Sequence, residues 1–567
     1  MAIEGFRRKK KRLGDLLVAA RVVTEEQLKD ALEQQKISKN KLGEVLTDMG
    51  YVTEYQIAKA LHIQLDYDIV NLSEIKIPDE LINLVEDKVL RKHMVIPFGY
   101  KDGNPNIINL AMANPLDFIA LDDLSIITDR MMNPFVATTT DVLKAIDKYY
   151  GNKEAMAVAE QYTKEKESQY KEDDADTSNL EVENAPIVLL VKTIIEQAVR
   201  QRASDIHIEP MENRIRVRYR IDGVLMETMQ YKMSLFAAIV ARIKIIGGMD
   251  ISEKRKPQDG RITQMVDRTE YDIRVSILPT VFGEKIVMRL TAKKALNRKK
   301  SELGFSQQEL VEFNQILAHP HGIILVTGPT GSGKSTTLYT ALSELNNEDV
   351  NIITVEDPVE ANIDGINQVQ TNTKAGLTFA SALRSILRQD PDIIMIGEIR
   401  DTETAQIAVK AAITGHLVVS TLHTNSAASS IARLEDMEVE PYLIADSTVG
   451  IIAQRLLRRL CPNCKKKVRA TDLDKELLKV PLDQELTIYE PGGCASCGET
   501  GYFGRIGIYE IMTITPKLKK MINEHRSADD LEAEAIKEGM HTLRMSAGRC
   551  VMEGISSLSE MKRVTFE

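Results

Sequence analysis

The chain has 567 residues, of which 43% are hydrophobic, and a formal net charge of −10, enough for about four domains with packed cores. The acidic balance argues against general affinity for nucleic acid. No apolar run approaches the roughly 18 residues of a membrane span, and none reads as a signal peptide, so the expected location is the cytoplasm; there, five cysteines point to metal or thiol chemistry before disulfides.

The first feature along the chain is a duplication. Residues 12–35 and 41–64 share ten of 24 aligned positions, far above chance. Each copy opens on a basic residue and Leu-Gly, as Arg12-Leu13-Gly14 and Lys41-Leu42-Gly43, and closes on Gln35 or Gln64. Thr24 with Gln27 and Thr53 with Gln56 read as capping boxes that open short helices. Those helices carry one apolar face each: Leu28, Ala31 and Leu32, then Ile57, Ala60 and Leu61. Packing alone accounts for such a hairpin repeat. The pattern also resembles the tandem motifs of a cyclic di-GMP-binding domain found at the front of some secretion and pilus ATPases, with residues 36–40 as the spacer. That resemblance implies two half-sites. Arg12, Leu13, Gly14, Leu28, Leu32 and Gln35 line the first; Lys41, Leu42, Gly43, Leu46, Ile57, Leu61 and Gln64 line the second. Apolar side chains would cover the guanine faces. Lys41 departs from the arginine the pattern prefers, and lysine cannot make the planar bidentate contact.

Residues 65–150 read as a small α/β unit, with strands expected at 94–98 and 107–112. Together with the repeat they make an expected regulatory domain, 1–150. Residues 151–182 are rich in Glu, Lys, Asp and Ser and read as a flexible linker. An α+β domain is expected over 183–295. It opens with a helix through Val188–Ala198 and continues into strands with Arg214, Arg216, Arg218 and Arg220 on alternate positions, the pattern of one solvated face. Two later strands carry Arg274 and Arg289.

The last domain, 296–567, holds the chemistry. Gly328-Pro329-Thr330-Gly331-Ser332-Gly333-Lys334-Ser335-Thr336 follows the buried-strand pattern Ile323–Val326 and precedes a helix pattern. Strand, glycine loop and helix are what phosphate binding needs: inward backbone N–H groups, a helix N-terminus, Lys334 for the β- and γ-phosphates and Ser335 for Mg²⁺. Two more apolar strands end in acids, Glu356 and Glu360 after one and Glu398 after the other, at the edge where such sheets bind ligands. A further strand has His416 at one end and His423 at the other. Cys461, Cys464, Cys494 and Cys497 form two C-x₂-C knuckles, the pattern of a closed structural zinc site, in an expected subdomain at about 458–505. Cys550 has no such partner in the sequence and reads as a buried small side chain.

From about 183 onward the chain resembles the type II secretion and type IV pilus ATPase family. The phosphate loop, the acidic box Glu356–Glu360, the stretch Leu383–Asp392, Gly397-Glu398-Ile399-Arg400 and the histidine box His416–His423 carry that resemblance. It implies a RecA-like ATPase core, a preceding PAS-like α+β domain, a small zinc insert and a mainly helical front domain. It further implies a cytoplasmic hexamer, at the inner face of the membrane, that hydrolyses ATP and pushes on a membrane platform protein, with a small membrane-associated assembly protein as a further partner. Glu360 and Glu398 would handle the attacking water, with the choice of base open. His423 would contact the γ-phosphate, and Arg274 and Arg289 would reach a nucleotide as arginine fingers. Pilus assembly is the leading reading. A type II secretion motor, a cyclic di-GMP receptor with secondary ATPase activity and a DNA or RNA translocase are the rivals.

Overall fold

Apolar spacing decides local structure along most of this chain. The computed structural model describes residues 13–565, apart from 21, 39–40, 66, 73–74, 76, 147–148, 151–184, 268 and 293–298. Arg12 and the expected linker lie outside the described residues. The described residues divide into two compact units, one drawn from 1–200, 231–242 and 493–499, the other from 201–230, 243–492 and 500–567.

In the first unit the repeat forms four helices: α1 (Leu13–Ala19), α2 (Glu25–Ser38), α3 (Leu42–Asp48) and α4 (Glu54–Leu65). Both expected capping boxes form. The Thr24 N–H donates to Gln27 Oε1 at 2.9 Å, and the Gln27 N–H donates to Thr24 Oγ1 at 3.2 Å. Thr53 and Gln56 repeat this at 2.8 and 3.3 Å. The copies interlock, α1 on α4 and α2 on α3, around Leu17, Val23, Ala31, Val45, Leu46, Val52 and Ala60. The Leu-Gly glycines permit close approach: a Cβ on Gly14 would lie 2.9 Å from Leu28 Cδ1, and one on Gly43 3.2 Å from Ile57 Cγ2. Leu46, expected in the second half-site, is fully enclosed in this core, whereas Leu32 is 41% exposed. Ahead of the acidic segment, β1 (Val95–Lys101), β2 (Asn104–Met112) and β3 (Met131–Val136) form one sheet in that order. β1 and β2 match the two expected strands. β3 carries the proline Pro134 and only a partial alternation, so its pattern was weak. Helix Ala185–Arg200 extends the expected one by a few residues at each end.

In the second unit, β4 (Ala203–Pro210), β5 (Arg214–Ile221), β6 (Val224–Lys232), β7 (Gln258–Val266), β8 (Thr269–Thr280) and β9 (Gly283–Ala292) build a sheet of order β6-β5-β4-β9-β8-β7. The alternating arginines do not simply face water. Glu209, 4% exposed, takes ion pairs from Arg216, Arg218 and Lys285 at 3.0, 2.8 and 2.9 Å. Burial would raise its carboxyl, but Arg218 and Lys285 hold it down at about 2. Asp205 takes ion pairs from Arg220 at 3.7 Å and Arg289 at 3.1 Å.

The larger sheet has the order β12-β11-β13-β14-β10-β15-β18. Its strands are β10 (Gly322–Thr327), β11 (Ile352–Glu356), β12 (Asn367–Gln370), β13 (Ile393–Ile396), β14 (Leu417–Leu422), β15 (Thr448–Leu460) and β18 (Tyr502–Thr513). β18 alone runs antiparallel to its neighbour. Every residue of β10, β11, β13 and β14 is buried, as a parallel sheet covered on both faces requires. The segment between β15 and β18 carries a two-stranded sheet, β16 (Lys466–Arg469) with β17 (Thr487–Glu490). Among the described residues no helix is long and apolar enough to cross a membrane.

Candidate functional site

The strand order places the site. β14 lies between β10 and β13, and β11 follows on the far side of β13. The phosphate-binding loop leaves β10, His423 follows β14, Glu398 follows β13 and Glu360 follows β11. All four therefore gather at the carboxyl edge of one parallel sheet, where the fold leaves a crevice for ligands.

Three glycines of the loop take left-handed backbone, Gly328 at φ 149°, Gly331 at 80° and Gly333 at 92°. At Gly328 a Cβ would also meet Gln454 O at 2.5 Å and Ser332 Oγ at 2.6 Å, so no other residue fits there. The helix then begins at Lys334. Lys334 is 9% exposed, and its Nζ donates to the Gly328 and Pro329 carbonyls at 2.6 and 3.2 Å. Burial pushes its ammonium down to about 8; the Glu398 charge opposes that shift and Arg455 adds to it. Ser335 is exposed at the first turn of this helix. Among the described residues, Ser332 Oγ is buried with no hydrogen-bond partner. A buried orphan hydroxyl beside a lysine turned onto its own loop fits a site built for phosphate oxygens.

The acids differ in their surroundings. Glu398 takes Arg400 Nη2 at 2.7 Å and faces His423 Nε2 at 3.3 Å. Glu360 is paired with Arg274 Nη2 at 2.9 Å, and the same nitrogen donates to the Val359 carbonyl at 3.2 Å. Glu356 lies apart from both. It is 3% exposed and accepts from Thr354 Oγ1 at 2.7 Å, from Gln368 Nε2 at 3.1 Å and from the Tyr339 hydroxyl. That saturation makes it a bracing group instead of a third reactive acid. Burial, then the Glu356 carboxylate, push the Tyr339 hydroxyl up, so it stays a donor.

Of the expected arginines, Arg274 reaches the acidic box and Arg289 does not. Arg289 holds Asp205 at 3.1 Å, with a side chain 57% exposed. His416 lies at the opposite end of β14 from His423, with Nδ1 2.9 Å from the Ala411 carbonyl, which makes it structural. Sequence reading missed Tyr339, Gln368 and Arg455. Their sole sequence signal is position: Tyr339 falls on the buried face of the loop's own helix, and Arg455 on the strand beside β10.

The four cysteine sulfurs lie within 4.8 Å of one another. Cys494 and Cys497 Sγ are 3.7 Å apart, against about 2.05 Å in a disulfide and about 3.8 Å between thiolates tetrahedral on zinc. The Cys494 N–H also points at Cys497 Sγ at 3.3 Å. Donor set and spacing fit a tetrahedral zinc. Cys550 is separate, and burial pushes its thiol up to about 11.

A family model described as "Type II/IV secretion system protein" matches residues 180–563, and one described as "MshEN domain" matches 65–156. The chain is 45% identical over 561 residues to the type IV pilus assembly ATPase PilB of Myxococcus xanthus, covering 97% of this chain and 98% of that one. It is 46% identical over 417 residues to the type II secretion system protein E of Pseudomonas aeruginosa, covering 74% and 81%. The solved ATPase DotB of Yersinia pseudotuberculosis overlays with a TM-score of 0.51 at 21% identity, covering 67% and 94%, a likeness of fold.

Proposed function

Because the chain belongs to the type II/IV secretion system protein family, we propose that it is a motor that hydrolyses ATP to drive type IV pilus assembly. The observation that carries the ATPase reading is the convergence of Lys334, Glu398, His423 and Glu360 at one sheet edge. Lys334 would exchange its loop carbonyls for the β- and γ-phosphates, and Ser335 would hold Mg²⁺, which supplies charge neutralisation there. Glu360 is the better base for the attacking water. Its guanidinium partner sits on another sheet and can leave with it, whereas Glu398 keeps Arg400 and His423 beside it on its own sheet. His423 then faces the γ-phosphate, with Arg274 and Arg289 acting as fingers.

The pilus reading is favoured over the secretion reading because the likeness to the pilus ATPase covers 97% of the chain, against 74% and 86% for two type II secretion system proteins E. The acidic charge speaks against a DNA or RNA translocase. The family reading also carries a hexamer at the inner face of the membrane, a platform protein as its partner, structural zinc on the four cysteines, and cyclic di-GMP on the repeat surface around Leu28, Leu32 and Gln35. The domain division 1–150, 183–295 and 296–567 goes with it. Phosphate release by the purified chain with Mg²⁺ and ATP is the test, and Lys334→Ala should abolish it, since the lysine cradles the β- and γ-phosphates. Turnover that survives this change overturns the ATPase site. Surface pili or exported enzymes lost on gene deletion separate the two family readings.

A further inference from the structure

Tyr339 sits on the helix that begins at Lys334, with its ring 1% exposed. Its hydroxyl does two things at once. It donates to the buried Glu356 carboxylate, and it accepts the backbone N–H of Glu360 at 3.1 Å. Gln368, held by the same Glu356, secures the rest of the segment: it donates to the Ala361 carbonyl at 3.0 Å and accepts from the Ile363 N–H at 2.8 Å. The main chain at Glu360 is thus fixed from inside the protein, while its carboxylate is met from outside by Arg274.

We propose that Tyr339 is a positioning residue for Glu360, braced by Glu356, that ties the phosphate-loop helix to the acid acting on water. One helix carries the group that grips phosphate at its first residue and the group that aims the acid in its second turn. A shift of that helix when Lys334 exchanges its carbonyls for phosphate oxygens therefore moves the Glu360 backbone with it. The aim of a general base matters because about 1 Å of misplacement can cost on the order of 10²-fold in rate.

The inference rests on the reading of Glu360 as the base, and the test separates the two. Tyr339→Phe keeps the ring and removes the hydroxyl. Steady-state turnover with Mg²⁺ and ATP should show kcat lower by about 10²-fold, with KM for ATP and the affinity for ADP within about twofold. A structural defect in the loop would move both. In a Glu360→Gln background, Tyr339→Phe should add nothing, because both changes act through one group. Full kcat in Tyr339→Phe with a dead Glu360→Gln overturns the Tyr339 proposal alone. Full kcat in Glu360→Gln overturns the underlying reading. Additive losses in the double variant also overturn the proposal. If Tyr339→Phe does not fold, Gln368→Met at a half-buried strand position removes the second support of the same segment. The same kcat loss is expected there, and unchanged kcat overturns the brace.

Discussion

Lys334 answers to two environments. With its ammonium buried against the loop carbonyls, its pKa falls to about 8. Anionic phosphate oxygens in their place would favour the charged form and raise it again. The sign follows: near and above that pH the free site has partly lost its proton, and the bound site holds it. Nucleotide binding should therefore take up a proton there, and affinity should weaken as pH rises through about 8. Calorimetry in buffers of different ionisation enthalpy reads the uptake directly. Equal heats in all buffers at that pH, after correction, would show that Lys334 is charged in both states. The same burial opposes stability of the free protein at neutral pH, where the ammonium is charged in both folded and unfolded chains, and that cost is relieved as pH climbs above the folded value.

At the scale of elements, the repeat separates residues that its pattern alone could not. Leu32 and Leu46 are both expected to line half-sites, yet one is 41% exposed and the other fully buried. Leu46→Ala should cost about 2–5 kcal/mol in unfolding of the repeat. Leu32→Ala should cost under about 1 kcal/mol and should weaken cyclic di-GMP binding; thermal unfolding and calorimetry together check both. Binding unchanged in Leu32→Ala would move the ligand off this face. The zinc knuckles give a second element-scale expectation. Four thiolates on zinc are worth about 10–16 kcal/mol in peptides, so chelation should melt the segment between β15 and β18 first, seen as fast amide exchange there. One zinc per chain is expected by metal analysis; a folded, metal-free insert would refute it. What was legible followed local rules. Capping boxes, the glycine loop, the all-apolar strands and the paired cysteines announce themselves within a few residues. What was not legible needed strand order. The order β11-β13-β14-β10 decides which strand ends are neighbours, and nothing near Glu356 in sequence says that Thr354, Tyr339 and Gln368 saturate it. The arginines of β5 misled for the same reason, since Glu209 and Asp205 reach them from a neighbouring strand.

For the molecule as a whole, the question is what frees Glu360. Within one chain Arg274 closes on it at 2.9 Å, so a candidate finger occupies the carboxylate that should receive the proton from water. Arg289, with 57% of its side chain exposed and Asp205 as its partner, is available to a neighbour. If the proposed ring forms, each α+β sheet shifts against the larger sheet, Arg274 leaves Glu360 for phosphate, and Arg289 reaches the next site. Turnover per chain should then rise steeply with chain concentration and level off once rings are complete. Arg274→Ala should act differently in the two regimes. Dilute chains should lose nothing, because the pair with Glu360 is gone, while assembled rings should fall by up to about 10³ for want of the finger. Arg289→Ala should lower only the assembled rate and leave nucleotide affinity of dilute chains unchanged. Turnover measured across a dilution series, with mass measured in parallel, distinguishes these outcomes. A rate per chain that is independent of concentration would mean that Arg274 and Glu360 part without a neighbour, and the pair would then be an ordinary partly exposed ion pair of small energy.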